Sequence, residues 1–161
     1  MSKKIGIINC SNFVNDLNCC ASCCLDAARN CTGFFEKYKQ YGGVEIVGLL
    51  SCSGCATLMA HEKILRRVRS LIRAGAEIIH FSSCINNICP FKNKYQSIIE
   101  KYYPDIKIEI GTHPELINDE NQLPMFGGMI IEYITAQNKD IVDILDTADA
   151  INECKLNLNI K

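Results

Sequence analysis

The sequence predicts an α/β protein: a doubly wound three-layer sandwich around a mostly parallel sheet of four or five strands, as in Rossmann- and flavodoxin-like folds. Four apolar, β-branched runs are typical of strands buried on both faces of a parallel sheet. These runs are Lys4–Cys10, Val44–Cys52, Glu77–Cys84 and Ile106–Thr112. Helical patterns separate them, and the order β-α-β-α-β-α-β requires right-handed crossovers with helices on both faces of the sheet.

Three segments between the strands carry apolar residues at helical spacing. Leu25–Tyr38 is the first, with Gly33 as its weak point. Thr57–Arg73 is the most clearly amphipathic, because its apolar residues share one face and its arginines lie largely elsewhere. Pro90 is expected to open the third helix, at a position that tolerates proline, and Pro104 to close it.

The pattern predicts one domain and a tail. Residues 1–113 form the α/β domain, and residues 114–161 form a C-terminal extension. After Pro114 the strand and helix signals weaken, although Asp140–Ile151 repeats apolar residues at helical spacing. We expect the extension to pack on the same domain or on the second subunit of a homodimer.

Composition limits the classes of partner. The chain has 161 residues, 48% of them hydrophobic, which is enough for a real core without disulfide staples. Its net charge is -1, so neither nucleic acid nor an anionic membrane is an expected partner. No signal-peptide pattern and no apolar run near the roughly 20 residues of a membrane span are visible, so a soluble cytoplasmic protein is expected.

Eleven cysteines are the most unusual feature of the composition. They are too many for ordinary core packing, and in a reducing cytosol they are expected to bind metal or to react rather than to form structural bridges. The odd count and the missing signal argue against a secreted disulfide framework.

Three cysteines stand at the ends of predicted strands. Cys10, Cys52 and Cys84 end the first three strands, and His113 follows the fourth. The carboxyl ends of parallel strands share one edge, where open α/β folds build their binding crevice, so these residues should converge. Ten of the eleven cysteines, all but Cys154, are expected within reach of that edge. The remaining seven of these ten are Cys19, Cys20, Cys23, Cys24, Cys31, Cys55 and Cys89.

The sharpest motif is Cys52-Ser53-Gly54-Cys55. A gap of two residues lets two sulfurs bind one metal ion, and Gly54 allows the backbone to turn tightly. The motif also lies between a strand and the N-terminus of a helix, whose dipole lowers the pKa of a thiol. It therefore suits metal ligation and thiol chemistry equally.

A series of ordered motifs between residues 4 and 113 resembles the CGGC-domain proteins. The motifs are Ile5-Gly6-Ile7-Ile8-Asn9-Cys10, Val44-Glu45-Ile46-Val47-Gly48, Cys52-Ser53-Gly54-Cys55, Gly75-Ala76-Glu77-Ile78-Ile79-His80, Cys84, Cys89-Pro90 and Gly111-Thr112-His113. Members of that family are small proteins, mostly of anaerobic bacteria and archaea, to which metal binding but no reaction is attributed.

The resemblance implies a set of site residues. It carries Cys10, Cys52, Cys55, Cys84, Cys89 and His113 as family positions. Ser53 stands where the family motif has glycine, a small-for-small change that should leave ligation intact. The loop between the first strand and the first helix, called the first loop, carries Cys19, Cys20, Cys23 and Cys24. Which of these four cysteines matches the family pattern is open, because this loop is unusually rich in cysteine.

Soft, all-sulfur donor sets favour iron-sulfur clusters or zinc over harder ions. A cluster takes about four thiolates, so one or two clusters, most simply [4Fe-4S], would use the available cysteines better than a single zinc ion. The candidate metal ligands are Cys10, Cys19, Cys20, Cys23, Cys24, Cys52, Cys55, Cys84, Cys89 and His113. A redox or sulfur-related role, with a redox partner protein, is the main functional expectation.

Two other classes of function stay open. A thiol-disulfide or sulfur-transfer enzyme would use the Cys52-Cys55 pair, one of which would attack, and another cysteine would resolve the mixed disulfide that forms. A metal or redox sensor acting through a protein partner has only the arginine-rich segment Thr57–Arg73 in its favour. His80 lies inside a predicted buried strand and is expected to be a core residue with satisfied hydrogen bonds. No phosphate-binding loop is visible.

Overall fold

The computed structural model of the chain describes residues 2–15, 17–54 and 58–114. The predictions that concern Cys55, Cys154 and residues 115–161, including the placement of the C-terminal extension, lie outside these described residues.

Strands and helices alternate along the described chain. In order they are β1 Lys3–Asn9, α1 Ser11–Asn15, α2 Ser22–Asn30, a 3-10 helix Gly33–Tyr41, β2 Val44–Ser51, α3 Ala60–Arg73, β3 Ile78–Phe81, α4 Ser83–Ile88, α5 Lys92–Tyr102 and β4 Lys107–Ile110.

The four strands form one parallel sheet in the order β2-β1-β3-β4. In the centre of the sheet, Ile7 of β1 lies opposite Leu49 of β2 and His80 of β3. This confirms the predicted doubly wound α/β architecture. The chain reverses its direction of travel across the sheet between β1 and β3, which is the switch point where folds of this type bind ligands.

Alternating side chains of β1 divide the core between the two faces of the sheet. Ile5 and Ile7 pack with Phe35 and Tyr38 beneath α2 and the 3-10 helix. Ile8 belongs to the other layer, whose buried residues include Ile64, Val68 and Leu71 of α3 and Tyr95 and Ile99 of α5. The period-2 alternation of a strand thus fixes which helices cover each face.

Two glycines let α3 approach the sheet closely. A Cβ atom built on Gly6 or Gly48 would come within 2.9 Å or 2.7 Å of Leu71. Leu71 is 2% exposed and fills the space that a side chain would need at either position. The absence of a Cβ on β1 and β2 therefore sets the packing distance of α3.

The helix predicted over Leu25–Tyr38 is two elements. After α2, Cys31 adopts a left-handed conformation with φ 49°, and its amide and that of Thr32 bond back to Ala28 and Ala27. This is a common way to end an α-helix. The chain restarts at Gly33 as a 3-10 helix, so the weak point in the pattern is a real break.

The third strand and third helix are shorter than predicted. β3 ends at Phe81, so Cys84 does not end a strand but lies in the first turn of α4. Ser82 is extended and precedes the helix, as serine often does at helix starts. α5 begins at Lys92 rather than at Pro90, because Phe91 has φ -100° and ψ 4°, outside the helical region.

None of the helices in the described ranges combines the length and the apolar character that a membrane crossing requires.

His80 is fully buried in β3, as a satisfied core residue. Its Nδ1 donates to the carbonyl of Gly111 at 2.7 Å, and its Nε2 accepts from the hydroxyl of Tyr38 at 2.8 Å. The ring also stacks on Phe35 at 4.5 Å between centroids. Burial lowers the pKa of His80 from 6.5 to about 4, despite the bond to Gly111 that favours the charged form.

This burial predicts a loss of stability in mild acid. Between pH 6.5 and about 4 the unfolded chain protonates His80 and the folded chain does not, so the free energy of unfolding falls as pH falls through this range. The loss should reach about 3 kcal/mol. Urea unfolding at a series of pH values measures it. His80→Phe keeps a ring against Phe35 but cannot titrate, and an equally steep pH dependence in that variant would contradict the assignment.

Candidate metal centre

Three cysteines from different parts of the chain meet at the carboxyl edge of the sheet. Cys10 directly follows β1, Cys52 directly follows β2, and Cys84 lies in the first turn of α4, just after β3. Each is nearly buried, with 5%, 5% and 8% of its surface exposed, and all three belong to the core layer beneath α3 and α5. The predicted convergence of these three residues is therefore observed in the described chain.

Backbone amides point at two of these sulfurs. The amide of Ser11 donates to Cys52 Sγ at 3.2 Å, and the amide of Cys10 donates to Cys84 Sγ at 3.4 Å. The hydroxyl of Ser82 lies 2.9 Å from Cys84 Sγ. Hydrogen-bond donors around a sulfur stabilise its anionic form, so this edge is prepared to hold negative charge on sulfur.

The three thiols form a hydrogen-bonded chain. Cys10 accepts from Cys52, a contact that lowers its pKa, and donates to Cys84. The bond to Cys84 and burial act in the opposite direction, and the net result is a pKa of Cys10 raised to about 11. The contact with Cys10 and burial raise the pKa of Cys52 still further. By contrast, the thiol of Cys10 lowers the pKa of Cys84. Cys84 is thus the first of the three to ionise.

A small cavity of about 80 Å³ opens beside this chain of thiols. Cys10, Cys52 and Cys89 contribute three thiol groups to its lining, and Phe91 and Tyr95 contribute aromatic rings. Gly54, with φ 88°, also lines the cavity in a left-handed conformation that favours glycine. The cavity is therefore small, largely apolar and rich in sulfur.

Ser53 ties the cysteine motif to α5. Its hydroxyl lies 3.1 Å from the hydroxyl of Tyr95, which is 3% exposed. The side chain of Ser53 thus adds a contact between the Cys52 loop and α5.

The first loop presents its cysteines differently. Cys19 is half-buried against the α3 and α5 layer, and burial raises its pKa. Cys20 is exposed, and hydrogen bonds from Ser22 lower its pKa. Asn18 and Ala21 flank these two cysteines with φ of 52° and 61°, values that non-glycine residues rarely adopt. Such strain is typical of segments that surrounding structure holds in place for function.

The two cysteines of α2 lie in its first turns. Cys23 is disulfide-bonded, whereas the other eight described cysteines are free. Cys24 belongs to the opposite core layer, where its sulfur accepts from Thr112 Oγ1 at 3.2 Å, and burial raises its pKa to about 11.

Three further candidates lie at different distances from the thiol chain. Cys89 lines the cavity, after α4. His113 follows β4, its Nδ1 lies 2.9 Å from the carbonyl of Pro114, and burial lowers its pKa. Cys31 does not reach the site. Its sulfur lies near Gly43, before β2, because α2 carries the chain back to the opposite edge of the sheet.

Asn9, the last residue of β1, is an orphaned polar group. It is 1% exposed, and neither its side-chain oxygen nor its nitrogen has a hydrogen-bond partner within the described part of the molecule. A buried amide without partners costs free energy, and such groups often mark a site whose occupant supplies the missing bonds.

Within residues 2–15, 17–54 and 58–114, no group of three or more histidine, cysteine, aspartate or glutamate side chains is arranged to hold a metal ion. The described sulfurs bond to one another and to backbone amides instead. Cys55, the second cysteine of the motif, lies outside these ranges.

The fold and the thiol chain define a class: a cysteine-rich α/β protein whose sulfurs gather at the switch point of a parallel sheet. A model of the CGGC domain matches residues 4–113, about two thirds of the chain, and the protein belongs to that family. No curated protein and no solved structure matches it. Family membership and the number of cysteines point to metal binding.

Some residues of the site were not predicted. The hydroxyl of Ser82 on Cys84, the hydroxyl of Tyr95 on Ser53 and the orphaned amide of Asn9 all depend on tertiary contacts. Only one local sequence signal was present for them. Ser82 and Ser83 stand between a strand and Cys84, and serine is common at the start of a helix.

Thiol reactivity should follow these environments. In metal-free protein at neutral pH, iodoacetamide should modify Cys20 well before Cys10 or Cys52, because Cys20 is exposed and ionises more readily. Peptide mapping by mass spectrometry after short labelling times measures the order. Equal or faster labelling of Cys52 in the folded protein would show that the described hydrogen bonds do not hold its proton.

The contact between Ser53 and Tyr95 should stabilise the cysteine loop. Ser53→Ala and Tyr95→Phe should each lower the free energy of unfolding by about 1 kcal/mol. The double variant should lose less than the sum, because both changes remove one bond. A double-mutant cycle by urea unfolding measures the coupling, and strict additivity would contradict the contact.

Proposed function

We propose that this protein holds an iron-sulfur cluster at the carboxyl edge of its sheet and uses it in a redox or sulfur-related role. The observation that carries the proposal is the convergence of Cys10, Cys52 and Cys84, with amide and hydroxyl donors aimed at the sulfurs of Cys52 and Cys84. Cys55 and Cys89 are the family positions that would complete the ligand set.

The chemistry of the donors fits such a group. Three nearly buried thiols in one place offer soft ligands, and backbone amides directed at sulfur are among the features that tune cluster potentials. The raised pKa values of Cys10 and Cys52 describe thiols without a cation beside them. A bound metal ion takes the place of such protons, because ligation requires the thiolate.

The chain's own residues would then perform three tasks. Ser11 and Cys10 donate amide protons to sulfur and so offset the negative charge of the thiolates. Phe91 and Tyr95 give the cavity an apolar lining beside the thiols. The orphaned amide of Asn9, at the end of the central strand, is a polar group for an occupant at this edge. When bound, the cluster would supply one-electron chemistry or an iron that binds sulfur.

The number of centres follows from which cysteines take part. The edge set of Cys10, Cys52, Cys55, Cys84 and Cys89 suffices for one [4Fe-4S] cluster. The first-loop set of Cys19, Cys20, Cys23 and Cys24 would provide the thiolates for a second only after reduction of the disulfide of Cys23, because ligation requires the thiolate. Zinc is the alternative metal for the same donors, since it also binds four thiolates. His113 is a nitrogen donor candidate beside β4.

A second candidate function is a thiol-disulfide or sulfur-transfer enzyme, and one observation favours it. The lowered pKa of Cys84 beside the thiol of Cys10 describes a nucleophile with a neighbouring cysteine that could resolve a mixed disulfide. In that case Cys84, rather than Cys52 with its raised pKa, would attack.

The metal content of anaerobically purified protein tests the proposal. Iron and acid-labile sulfide should be present at about four atoms each per cluster, with broad visible absorption. Cys52→Ser and Cys84→Ser should abolish the absorption. Cys31→Ser is the matched control, since Cys31 is also a buried free cysteine but lies at the opposite edge of the sheet, and it should retain the absorption.

Zinc without iron would support the alternative metal at the same site. A colourless, metal-free protein in which the described free cysteines react with a thiol reagent would contradict metal binding and favour the enzyme. Loss of the absorption in Cys31→Ser alone would contradict the location.

A further inference from the structure

The outer face of α3 and α5 is strongly basic. The two helices pack side by side on one face of the sheet, where their apolar residues share a core layer and Tyr103 donates to the carbonyl of Leu65 at 3.5 Å. Together the two helices carry eight lysines and arginines against two glutamates. The exposed basic residues are Arg66, Arg69, Arg73, Lys94 and Lys101, whereas Lys63, Arg67 and Lys92 are half-buried and Lys92 bonds to Asn86. We call this surface the basic face.

The sequence after the described domain has the opposite charge. Residues 1–114 contain 14 basic and 9 acidic residues, a net charge of +5, whereas residues 115–161 contain 3 basic and 9 acidic residues, a net charge of -6. The near-neutral total of the chain therefore conceals two segments of opposite sign. Opposite net charges attract, and more strongly at low salt.

The acidic segment has an amphipathic portion. Between residues 140 and 151, aspartates recur at Asp140, Asp143, Asp146 and Asp149. At 100° per residue, a helix of this sequence would place these four aspartates on one half of its surface. The opposite half would carry the apolar residues Ile141, Ile144, Leu145, Ala148 and Ile151.

An apolar groove lies at one end of the basic face. It has a volume of about 330 Å³, and its lining includes Met59, Phe91, Tyr95 and Lys94. Met59 and Phe91 are 60% and 39% exposed, which is high for large apolar side chains. Phe91 and Tyr95 also line the cavity of the cysteine site, so the groove adjoins that site. Apolar surface bordered by cations is the complement of an acidic amphipathic helix.

We propose that residues 140–151 dock on the basic face of the same chain, with their apolar side in the groove of Met59 and Phe91. Asp140 and Asp149, which border the apolar side of such a helix, would then lie beside the flanking basic residues of α3 and α5. This inference does not depend on the bound metal. It identifies a surface that residues 140–151 cover, and that surface includes Phe91 and Tyr95, which also line the cysteine cavity.

The tether favours the same chain over a second copy. The described chain ends at Pro114, just beyond β4, and 25 residues separate it from Asp140. These residues can span up to about 80 Å, whereas α3 is only about 21 Å long. A tethered segment of this reach has an effective concentration near the millimolar range, so modest contacts suffice to dock it.

Charge exchange in the full-length protein tests the docking. The tail variant combines Asp140→Lys and Asp149→Lys, and the face variant combines Arg66→Glu, Arg69→Glu and Arg73→Glu. Each should accelerate amide hydrogen exchange of residues 140–151 by about tenfold, the effect of a few exposed ion pairs. The combined variant should restore protection, because the charges are exchanged rather than removed.

The matched control reverses three exposed basic residues of α2 and the 3-10 helix, away from this face: Arg29→Glu, Lys37→Glu and Lys39→Glu. It should leave the exchange of residues 140–151 unchanged. Hydrogen exchange of the unaltered protein, followed by mass spectrometry, is compared at low salt and at about 1 M salt, where the Debye length is about 3 Å. The high salt concentration should accelerate the exchange of residues 140–151, as the tail variant and the face variant each do.

Three outcomes would overturn the proposal. The first is an unprotected segment in the unaltered protein at low salt, and the second is protection that the face variant does not change. The third is protection that rises with protein concentration, which would place the segment on a second copy of the chain. If metal-free protein shows the same protection of residues 140–151, lost in each variant and restored in the combined one, the docking is supported although the proposed metal binding is not.

Discussion

The carboxyl end of β1 is held between two parallel neighbours, and the position of the site depends on that constraint. The amide of Cys52 donates to the carbonyl of Asn9 at 2.7 Å, and the amide of Ser82 donates to the carbonyl of Ile8 at 3.0 Å. These bonds anchor the chain just after β2 and β3 against the end of β1. Three cysteines distant in sequence are thereby brought to one edge, which no local interaction could achieve.

Burial then decides the chemistry at that edge. Burial away from water raises the pKa of a thiol and favours its neutral form. Hydrogen-bond donors at a sulfur act in the opposite direction, and these donors differ from one thiol to the next. The proton is held most tightly at Cys52 and least tightly at Cys84, so the site is polarised along one direction. The same layer of α3 and α5 that excludes water from the thiols presents arginines and lysines to the outside. The inner sides of these two helices therefore pack against the layer of the buried sulfurs, and their outer sides carry the basic residues.

The strands and the convergence of cysteines were predictable because both follow from period-2 burial and parallel pairing. The failures have local causes. Ser83–Ile88 is only six residues long and lacks strong helix formers, so its helix could not be separated from the strand before it. Cys31 was placed at the wrong edge because the break at Cys31 and Gly33 could not be distinguished from a tolerated glycine. The contacts of Ser53 with Tyr95 and of His80 with Tyr38 join residues 42 apart in sequence, and no periodicity reports such a pairing.

Asn9 carries a consequence for how this protein has been shaped. An aliphatic side chain at the end of β1 would remove two unsatisfied polar atoms from the interior, and selection for stability alone would favour it. Asparagine at this position instead lowers the free energy of unfolding. The central strand thus ends in a residue that a purely structural optimisation would discard, at the very position where the sheet meets its sulfur-rich edge.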